Sequence, residues 1–590
     1  MWKLKDEGEG EVRGLVWRPD GKVLAVRHPD IVNLYKVEGG TLIHSSSTRD
    51  TISAWCGVPL TTPDREYLLP PVPNLPPIED VKTDIMATRD LLQGQPDLNI
   101  MAMIDEGGVK LVSQGILQIG SVPSPTPATV GLTPDGGYLC AVSATNPVTC
   151  RVYDCSQLAE NLQNINDVTK IYSNVLTLSE YMLSTFKAMS DCWDTVLSEF
   201  NKKLFAFHMS LHPGTLSKQF LHLFVTGTAS MELENFLVHT LKEKEISKLL
   251  SSTLQSYQGI EKLITRQLMS CCYALSTHLQ TLLGMSRWYD RYGAVGLSEC
   301  AVQNSINKLS GLMIKSQELL QSISRSKMRL SAFLKWLLKA TISLSDENPT
   351  VVKLTEEELK LVVDFLKTES LFATRADTCH FNIDTVWQYF GEDNIITPPD
   401  FHNNKLLDTV LTLLKDKKPY LTVQPNMSLL QSHKLFSDSL LQCFELSLPE
   451  ITTPLHTLAI GALYTLATDC SNVRYVDSSN TVRALSLPDG THQRPNRRLN
   501  VTDTITQLHG YDADYVVETE DSEGRKAVCI CMEGEVVRSE LPGDVGLVVI
   551  SESRRLGAVV SALGRRIQIL DLEENEDEDD EDEEGEEEGI

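Results

Sequence analysis

The sequence lacks most of what marks an enzyme. No Gly-x-x-x-x-Gly-Lys phosphate loop, Gly-x-Gly-x-x-Gly turn or Gly-x-Ser-x-Gly elbow occurs, so the backbone cradles of common nucleotide and hydrolase chemistry are missing. Thirteen cysteines are scattered with no Cys-x-x-Cys among them, the closest being Cys271-Cys272 and Cys529-x-Cys531. That pattern excludes a zinc-ligand framework and reads as reduced thiols in an intracellular protein. Trp2-Lys3-Leu4-Lys5-Asp6-Glu7-Gly8 has no apolar centre, which predicts no secretory signal. The longest apolar run, Leu455 to Ala467, already contains His456 and is too short to span a bilayer, so a soluble protein is expected.

Basic charge is also scarce. Fifteen acidic residues fall between Asp571 and Glu588 with no Lys or Arg among them, and without them the formal charge of −27 becomes −12. A mildly acidic body with no basic stripe disfavours nucleic-acid binding driven by phosphate neutralisation. The polyacidic end cannot bury enough apolar surface to fold, which predicts a disordered tail over 571–590.

Candidate sites dissolve on inspection. His208-x-x-x-His212 places two imidazoles on one helix face, but no Glu follows the first His and Pro213 stops the helix, so the spacing predicts a helix-end or interface pair. Cys529 and Cys531 alternate on a strand pattern and are expected on one face, in the core. Glu356 to Glu358 complement a helix N-terminus. The expectation is no catalytic, cofactor-binding or metal-binding residue, no cofactor and no small-molecule substrate.

What is present is a long helical block. From Gln157 to His212 there is neither Gly nor Pro, and Ile165, Val168, Tyr172, Val175, Met182, Phe186, Met189, Trp193, Val196 and Phe200 recur at alternating steps of three and four, broken only at Ser179. Such a helix could reach roughly 70 Å at ~1.5 Å per residue. A stripe so narrow needs a partner helix. From Ser298 a second long pattern sets Ile306, Leu309, Met313, Leu320, Ile323, Leu330, Leu334, Leu337 and Leu344 in the same alternation, with Ser316, Lys327 and Thr341 completing the seam. Helical patterns over Thr215–Glu243 and Glu245–Trp288 lie between, with corners at Pro213-Gly214 and Gly293–Gly296. Four antiparallel helices in an elongated bundle are predicted.

Around this block the pattern is β. Val12–Trp17, Lys22–Val26 and Ile31–Val37 are predicted strands, with Arg18-Pro19-Asp20-Gly21 as a turn. Trp55 lies 38 residues after Trp17, and Leu132, in a second turn cluster Leu132-Thr133-Pro134-Asp135-Gly136, lies 115 residues after it. These intervals fit a period of ~40, the length of a four-stranded propeller blade, although the Gly-His and Trp-Asp signatures are missing. Pro59 to Pro77 is proline-rich and predicts an extended surface connection, with peptide-like docking as its other reading. Thr355-Glu356-Glu357-Glu358 opens a helix to about Leu371, and helices are expected over Asn382–Phe390 and Met427–Leu446. Strands resume over Thr457–Leu466, Arg474–Val476, Val482–Leu487, Tyr515–Glu518, Ala527–Met532, Glu535–Glu540, Leu547–Ile550, Gly557–Ser561 and Ile567–Leu570. Neither β half has enough repeats to close alone, so the two are expected to share one propeller, with the last strand beside residues 11–17.

The predicted fold is mixed all-β plus all-α: a WD40-like β-propeller interrupted by a long four-helix bundle insertion. Its parts are 1–155 and 454–570 for the propeller, 156–372 for the bundle, 373–453 for a helical or irregular connection, and 571–590 for the tail. Phe220, Leu221, Leu223, Phe224 and Val225 exceed one stripe, so some apolar surface is expected outside the bundle, to be covered by the propeller or another subunit.

Several strings carry a resemblance. They are Val16-Trp17-Arg18-Pro19-Asp20-Gly21-Lys22; Phe220-Leu221-His222-Leu223 with Gly227-x-Ala229-Ser230-x-Glu232-Leu233; Gly284-Met285-x-x-Trp288 with Tyr292 and Gly296-Leu297; Phe333-x-x-Trp336-Leu337; and Phe381-Asn382-x-x-x-Val386-x-Gln388-Tyr389. In this order they resemble the family of fourth subunits of the anaphase-promoting complex, the cell-cycle ubiquitin ligase, from about residue 12 to the tail. Family members carry a blade's worth of chain ahead of the Trp-Arg-Pro-Asp-Gly unit, whereas here only about ten residues precede it. The resemblance implies a non-catalytic scaffold subunit that contacts the ligase's other large platform subunits, without nucleic acid or membrane, in nucleus and cytoplasm. Propeller-plus-helix chains also build membrane-traffic coats and tethers, the competing reading. That reading predicts helical repeats of fixed length, and the helices here are long and unequal. A hydrolase with a propeller pocket would need convergent polar motifs, and none is found.

Overall fold

A computed structural model describes residues 2–4, 11–60, 97–143 apart from 106 and 126, 149–210, 216–345, 353–367 and, in the rest of the chain, chiefly the strands and helices named below. Among the described residues the β part holds six four-stranded antiparallel sheets. The first holds Gly14–Trp17, Val23–Arg27, Ile31–Lys36 and Leu42–Ser47; the second holds Thr51–Pro59, Asp97–Ile104, Gly108–Ser113 and Leu117–Pro123. The third joins Pro127–Leu132, Tyr138–Ser143 and Thr149–Asp154 to Pro454–Ala459, which arrives three hundred residues later in register Cys150↔Leu458. Leu466–Thr468 leads the fourth sheet, Thr504–Tyr511 the fifth and Val545–Ile550 the sixth.

In this order each sheet abuts the next. The leading strands of the first three sheets pack side by side, as do those of the third to fifth, and Gly14–Trp17 also packs on Val545–Ile550. Val528 of the fifth sheet is buried with Val548 and Ile550 of the sixth. The reason is the period-two pattern: both faces of an inner sheet are apolar, as in Val23–Arg27, so each must be covered by a neighbour. The two β halves do share one assembly, through the third sheet. The last strand, Ile567–Asp571, pairs with Trp2–Leu4 in register Trp2↔Ile569, not with residues 11–17, which lead the first sheet instead. The last strand does lie beside residues 11–17, with Ile567 and Ile569 buried against Leu15 and Trp17, but its hydrogen bonds go to Trp2–Leu4 because Gly14–Trp17 already pairs with Val23–Arg27.

Three helical runs dominate the insertion. The first spans Leu162–Ser210; the second is Glu243–Lys262, a π turn at Leu263–Leu268 and Met269–Arg287; the third spans Glu299–Ser345. Side-chain contacts give their sense. Asn164 bonds to the Arg291 carbonyl at 2.9 Å while the Cys271 thiol donates to the Leu178 carbonyl at 3.1 Å, so the first and second runs are antiparallel. Arg287 pairs with Glu299 at one end of the second and third runs, and Lys327 with Glu261 further along, so these too are antiparallel.

The expected second helix, Thr215–Glu243, is not one helix. It is Leu216–Thr226, Met231–Asn235 and a π turn Phe236–Leu241, interrupted at Gly227 (φ 73°) and again at Lys242 (φ 53°), both left-handed positions that a helix cannot contain. The helix that completes the packing is Leu429–Cys443, opened by a capping box of Ser428 and Gln431. It lies along the third run and reaches the first through Tyr172 against Phe444 and Phe186 against His433. The Thr355 box also forms, with Thr355 and Glu358 exchanging hydrogen bonds at 3.0 and 3.2 Å. Asn382–Phe390 shows a 3-10 turn at Gln388–Phe390, and most of the remainder of that predicted helix lies outside the described residues. A short hairpin, Phe372–Arg375 with Thr378–Phe381, was not anticipated.

The insertion is rooted on the second and third sheets. Leu158, Leu162 and Ile165 join Val58, Leu117, Leu139 and Tyr153 in one buried cluster, and Ser113 bonds Thr169 at 2.9 Å.

Candidate interaction surfaces

Among the described residues the helical insertion holds a buried polar cluster around Lys315 and Glu318 and exposed apolar side chains at two places considered below. In the third run Lys315 and Glu318, spaced i, i+3, are 1% and 7% exposed, with the ammonium 3.1 Å from both carboxylate oxygens. Tyr389 donates to the same carboxylate at 2.6 Å, and burial next to Glu318 pushes its phenol well above the usual range. A buried charge pair is tolerable only when its remaining lone pairs are satisfied, and Tyr389 supplies that partner. The 3-10 turn Gln388–Phe390 is thereby latched to the third run. The Lys-Glu spacing alone reads as a solvent-facing pair; the quoted Val386-x-Gln388-Tyr389 string was the one sequence signal near it.

The first exposed surface lies on the broken segment after the first run. Phe220 and Leu223 are buried, Phe220 against Phe333, whereas Leu221 is 37% exposed, Val225 73% and Met231 81%. This splits the apolar run as expected: Leu221 and Val225 at i, i+4 share the outer face. The second surface lies at the turn between the second and third runs, where Trp288 and Tyr289 are exposed. The Arg291 guanidinium sits 5.5 Å from the Trp288 ring centre and 5.1 Å from that of Tyr292. It is fixed by Asp167 at 3.0 Å, and Tyr292 bonds the same carboxylate at 3.1 Å.

The remaining candidates carry no chemistry. His208 ends the first run without a described side chain, and His212 lies outside the described residues. Cys529 is buried, and burial pushes the Cys272 thiol up to about 12 and that of Cys443 up to about 11, where both stay protonated and inert at neutral pH. Among the described residues no cluster of three His, Cys, Asp or Glu could hold a metal, and no helix is long and apolar enough to cross a membrane. A shallow groove of about 490 Å³ beside the π turn of the second run holds Lys262 and Arg266, with Glu261 already engaged by Lys327.

Antiparallel four-stranded sheets interrupted by a long helical region define the class: a mixed β and α chain with WD40-type repeats. Residues 1–56 match the family model described as "Anaphase-promoting complex subunit 4 WD40 domain", and residues 149–347 match "Anaphase-promoting complex, cyclosome, subunit 4". Curated relatives include anaphase-promoting complex subunit 4 of Mus musculus, 27% identical over 74% of this chain and 58% of that protein, and of Homo sapiens, 27% identical over 68% and 54%. The chain is therefore similar to subunit 4 of the anaphase-promoting complex, and the match spans little more than half the length of those proteins.

Proposed function

We propose that this chain is a non-catalytic scaffold subunit of an anaphase-promoting complex, an E3 ubiquitin ligase of the cell cycle, working in nucleus and cytoplasm. Its six sheets form a closed WD40-like propeller, and its helical insertion reaches out to neighbouring large subunits. The observation that carries this reading is that the WD40-domain match falls on residues 1–56, at the first sheet and the start of the second, while the subunit 4 match over 149–347 covers a strand of the third sheet and the three long helical runs. The exposed Leu221 and Val225, one helical turn apart on the same face, together with the exposed Met231, support a protein partner.

The test is affinity purification of the tagged chain with mass spectrometry. The wild type is expected to bring down the other large subunits. A triple Leu221→Asp, Val225→Asp, Met231→Asp variant is expected to remain folded and lose them. Purified alone, the chain should not discharge ubiquitin from a charged conjugating enzyme. Robust discharge, or unchanged sedimentation of the triple variant with the complex, counts against the reading.

A further inference from the structure

The groove of about 490 Å³ beside the π turn lies between the second and third helical runs. Gln258, Lys262, Thr265 and Arg266 line it from one side, Leu320 and Ser324 from the other. Gln258, Lys262 and Arg266 recur every fourth residue and so share one helix face, as do Leu320 and Ser324. The chain has a formal charge of −27, yet this groove is basic. Lys262 and Arg266 are exposed, and among the described residues neither is paired with a carboxylate. Glu261, also in the lining, is engaged by Lys327 at 2.8 Å, so three cations face one carboxylate and the net charge is +2. Like charges one helical turn apart repel and weaken the helix that carries them, a cost that a bridging anion reverses. We propose that the groove binds a phosphorylated serine or threonine of a partner protein, its phosphate bridging Lys262 and Arg266.

Charge and donor chemistry select this ligand. A phosphorylated side chain brings a charge of about −1.5 to −2 at neutral pH and three acceptor oxygens, which matches the two free cations, whereas a carboxylate cancels one. Lys262 and Arg266 are the residue types that form charge-assisted bonds to phosphate, and the Gln258 amide and Ser324 hydroxyl add neutral donors, one on each wall. Leu320 offers an apolar contact to a neighbouring residue of the ligand. A nucleic-acid backbone needs a row of cations, and the groove holds a single pair.

The walls are fixed before any ligand arrives. The hydroxyls of Tyr257 and Ser326 meet at 2.6 Å, and together with the Lys327–Glu261 pair they pin the two runs to each other, so little ordering is left to oppose binding. Thr265 and Arg266 sit in the π turn Leu263–Leu268, a widening of the helix that is frequent at functional sites. A Cβ at Gly259, three residues before Lys262, would meet nothing within 4 Å, which leaves the approach to the cations open.

Retention of a degenerate phosphoserine and phosphothreonine peptide library on the immobilised full chain, read by mass spectrometry, tests the proposal. The phosphorylated library is expected to be held roughly tenfold better than the same library unphosphorylated or with Glu at the fixed position, and to elute as salt rises. Lys262→Gln with Arg266→Gln should lower retention by roughly tenfold or more, the loss of charge-assisted bonds. The thermal midpoint of that variant should be no lower than the parent's, because the repulsion goes with the charges. Glu261→Gln frees Lys327 and should tighten binding roughly two- to threefold, a gain that a damaged fold would not give. Equal retention of the phosphorylated library and either control overturns the proposal, and so does retention that survives the double variant. If phosphopeptides bind only after residues 571–590 are deleted, the chain's own acidic end fills the groove and the proposal falls. These readouts use the chain by itself, so they fail or succeed separately from its membership of a ligase.

Discussion

The indole nitrogen of Trp17 donates to the carbonyl of Val549 at 3.0 Å, a hydrogen bond between positions 532 residues apart. It joins the first sheet to the sixth, where the two ends of the chain meet, and the Trp17 ring is buried there with Ala558, Val560 and Ile567. Trp17→Phe keeps most of the ring packing and loses the bond, so stability should fall by ~1 kcal/mol. Trp17→Ala also empties the site and should cost ~3–5 kcal/mol. Urea denaturation of the two variants separates the contributions.

Trp2–Leu4 supplies the outer strand of the sixth sheet. Deleting residues 1–10 exposes the free edge of Ile567–Asp571, a template for pairing with another chain. The expected outcome is concentration-dependent association in sedimentation velocity together with a lower thermal midpoint. A monodisperse deletion variant with the parental midpoint would show that the strand contributes nothing.

The Lys315–Glu318–Tyr389 cluster should behave as a unit. Lys315→Met alone leaves a buried carboxylate and should destabilise by about 3–5 kcal/mol, whereas Lys315→Met with Glu318→Leu should come much closer to neutral. Tyr389→Phe removes one hydrogen bond to a charged acceptor, worth about 1.5–3 kcal/mol. The double-mutant cycle is read by chemical denaturation, and strict additivity of the two single changes would show that the groups are not coupled.

His433 packs edge-on to Phe186 at 5.3 Å, and burial lowers its pKa below the ordinary 6.5. A histidine depressed in the folded state is protonated more readily when unfolded. Its stabilising contribution is therefore complete above about 6.5 and is lost as pH falls from there towards the folded value. The thermal midpoint should decline over that window, and His433→Phe, which preserves the ring contact, should flatten the decline. An identical pH profile for the two proteins would remove His433 as its source.

Much of the architecture was legible because period is a local property. Ile165, Val168, Val175, Met182, Phe186 and Met189 recur at helical spacing and are all buried. Ser316 and Thr341, read as polar members of the seam, are also buried, each hydroxyl bonding the carbonyl four residues back. The turn at Trp17-Arg18-Pro19-Asp20-Gly21 forms as expected, with the buried Arg18 paired to Asp20 at 2.7 Å.

The misses share one cause. The break at Lys242 cannot be read from residue type, because a lysine at positive φ is held there by the packing of Leu237 and Leu241 on one side and Ile246 on the other. Leu429–Cys443 was legible as an amphipathic helix, yet nothing local says that its partners are Tyr172, Phe186 and Ser305, more than a hundred residues away. Likewise the alternation of Ile567–Asp571 marks a strand, while its pairing with Trp2–Leu4 depends on which free edge the sixth sheet leaves available. By itself, then, the sequence determined the type of each long element and which face turns inward, since hydrophobic periodicity acts between near neighbours along the chain. Only the tertiary structure decided which elements meet, how the sheet halves join and which apolar residues remain outside, because those outcomes depend on competition among distant surfaces for the same partner.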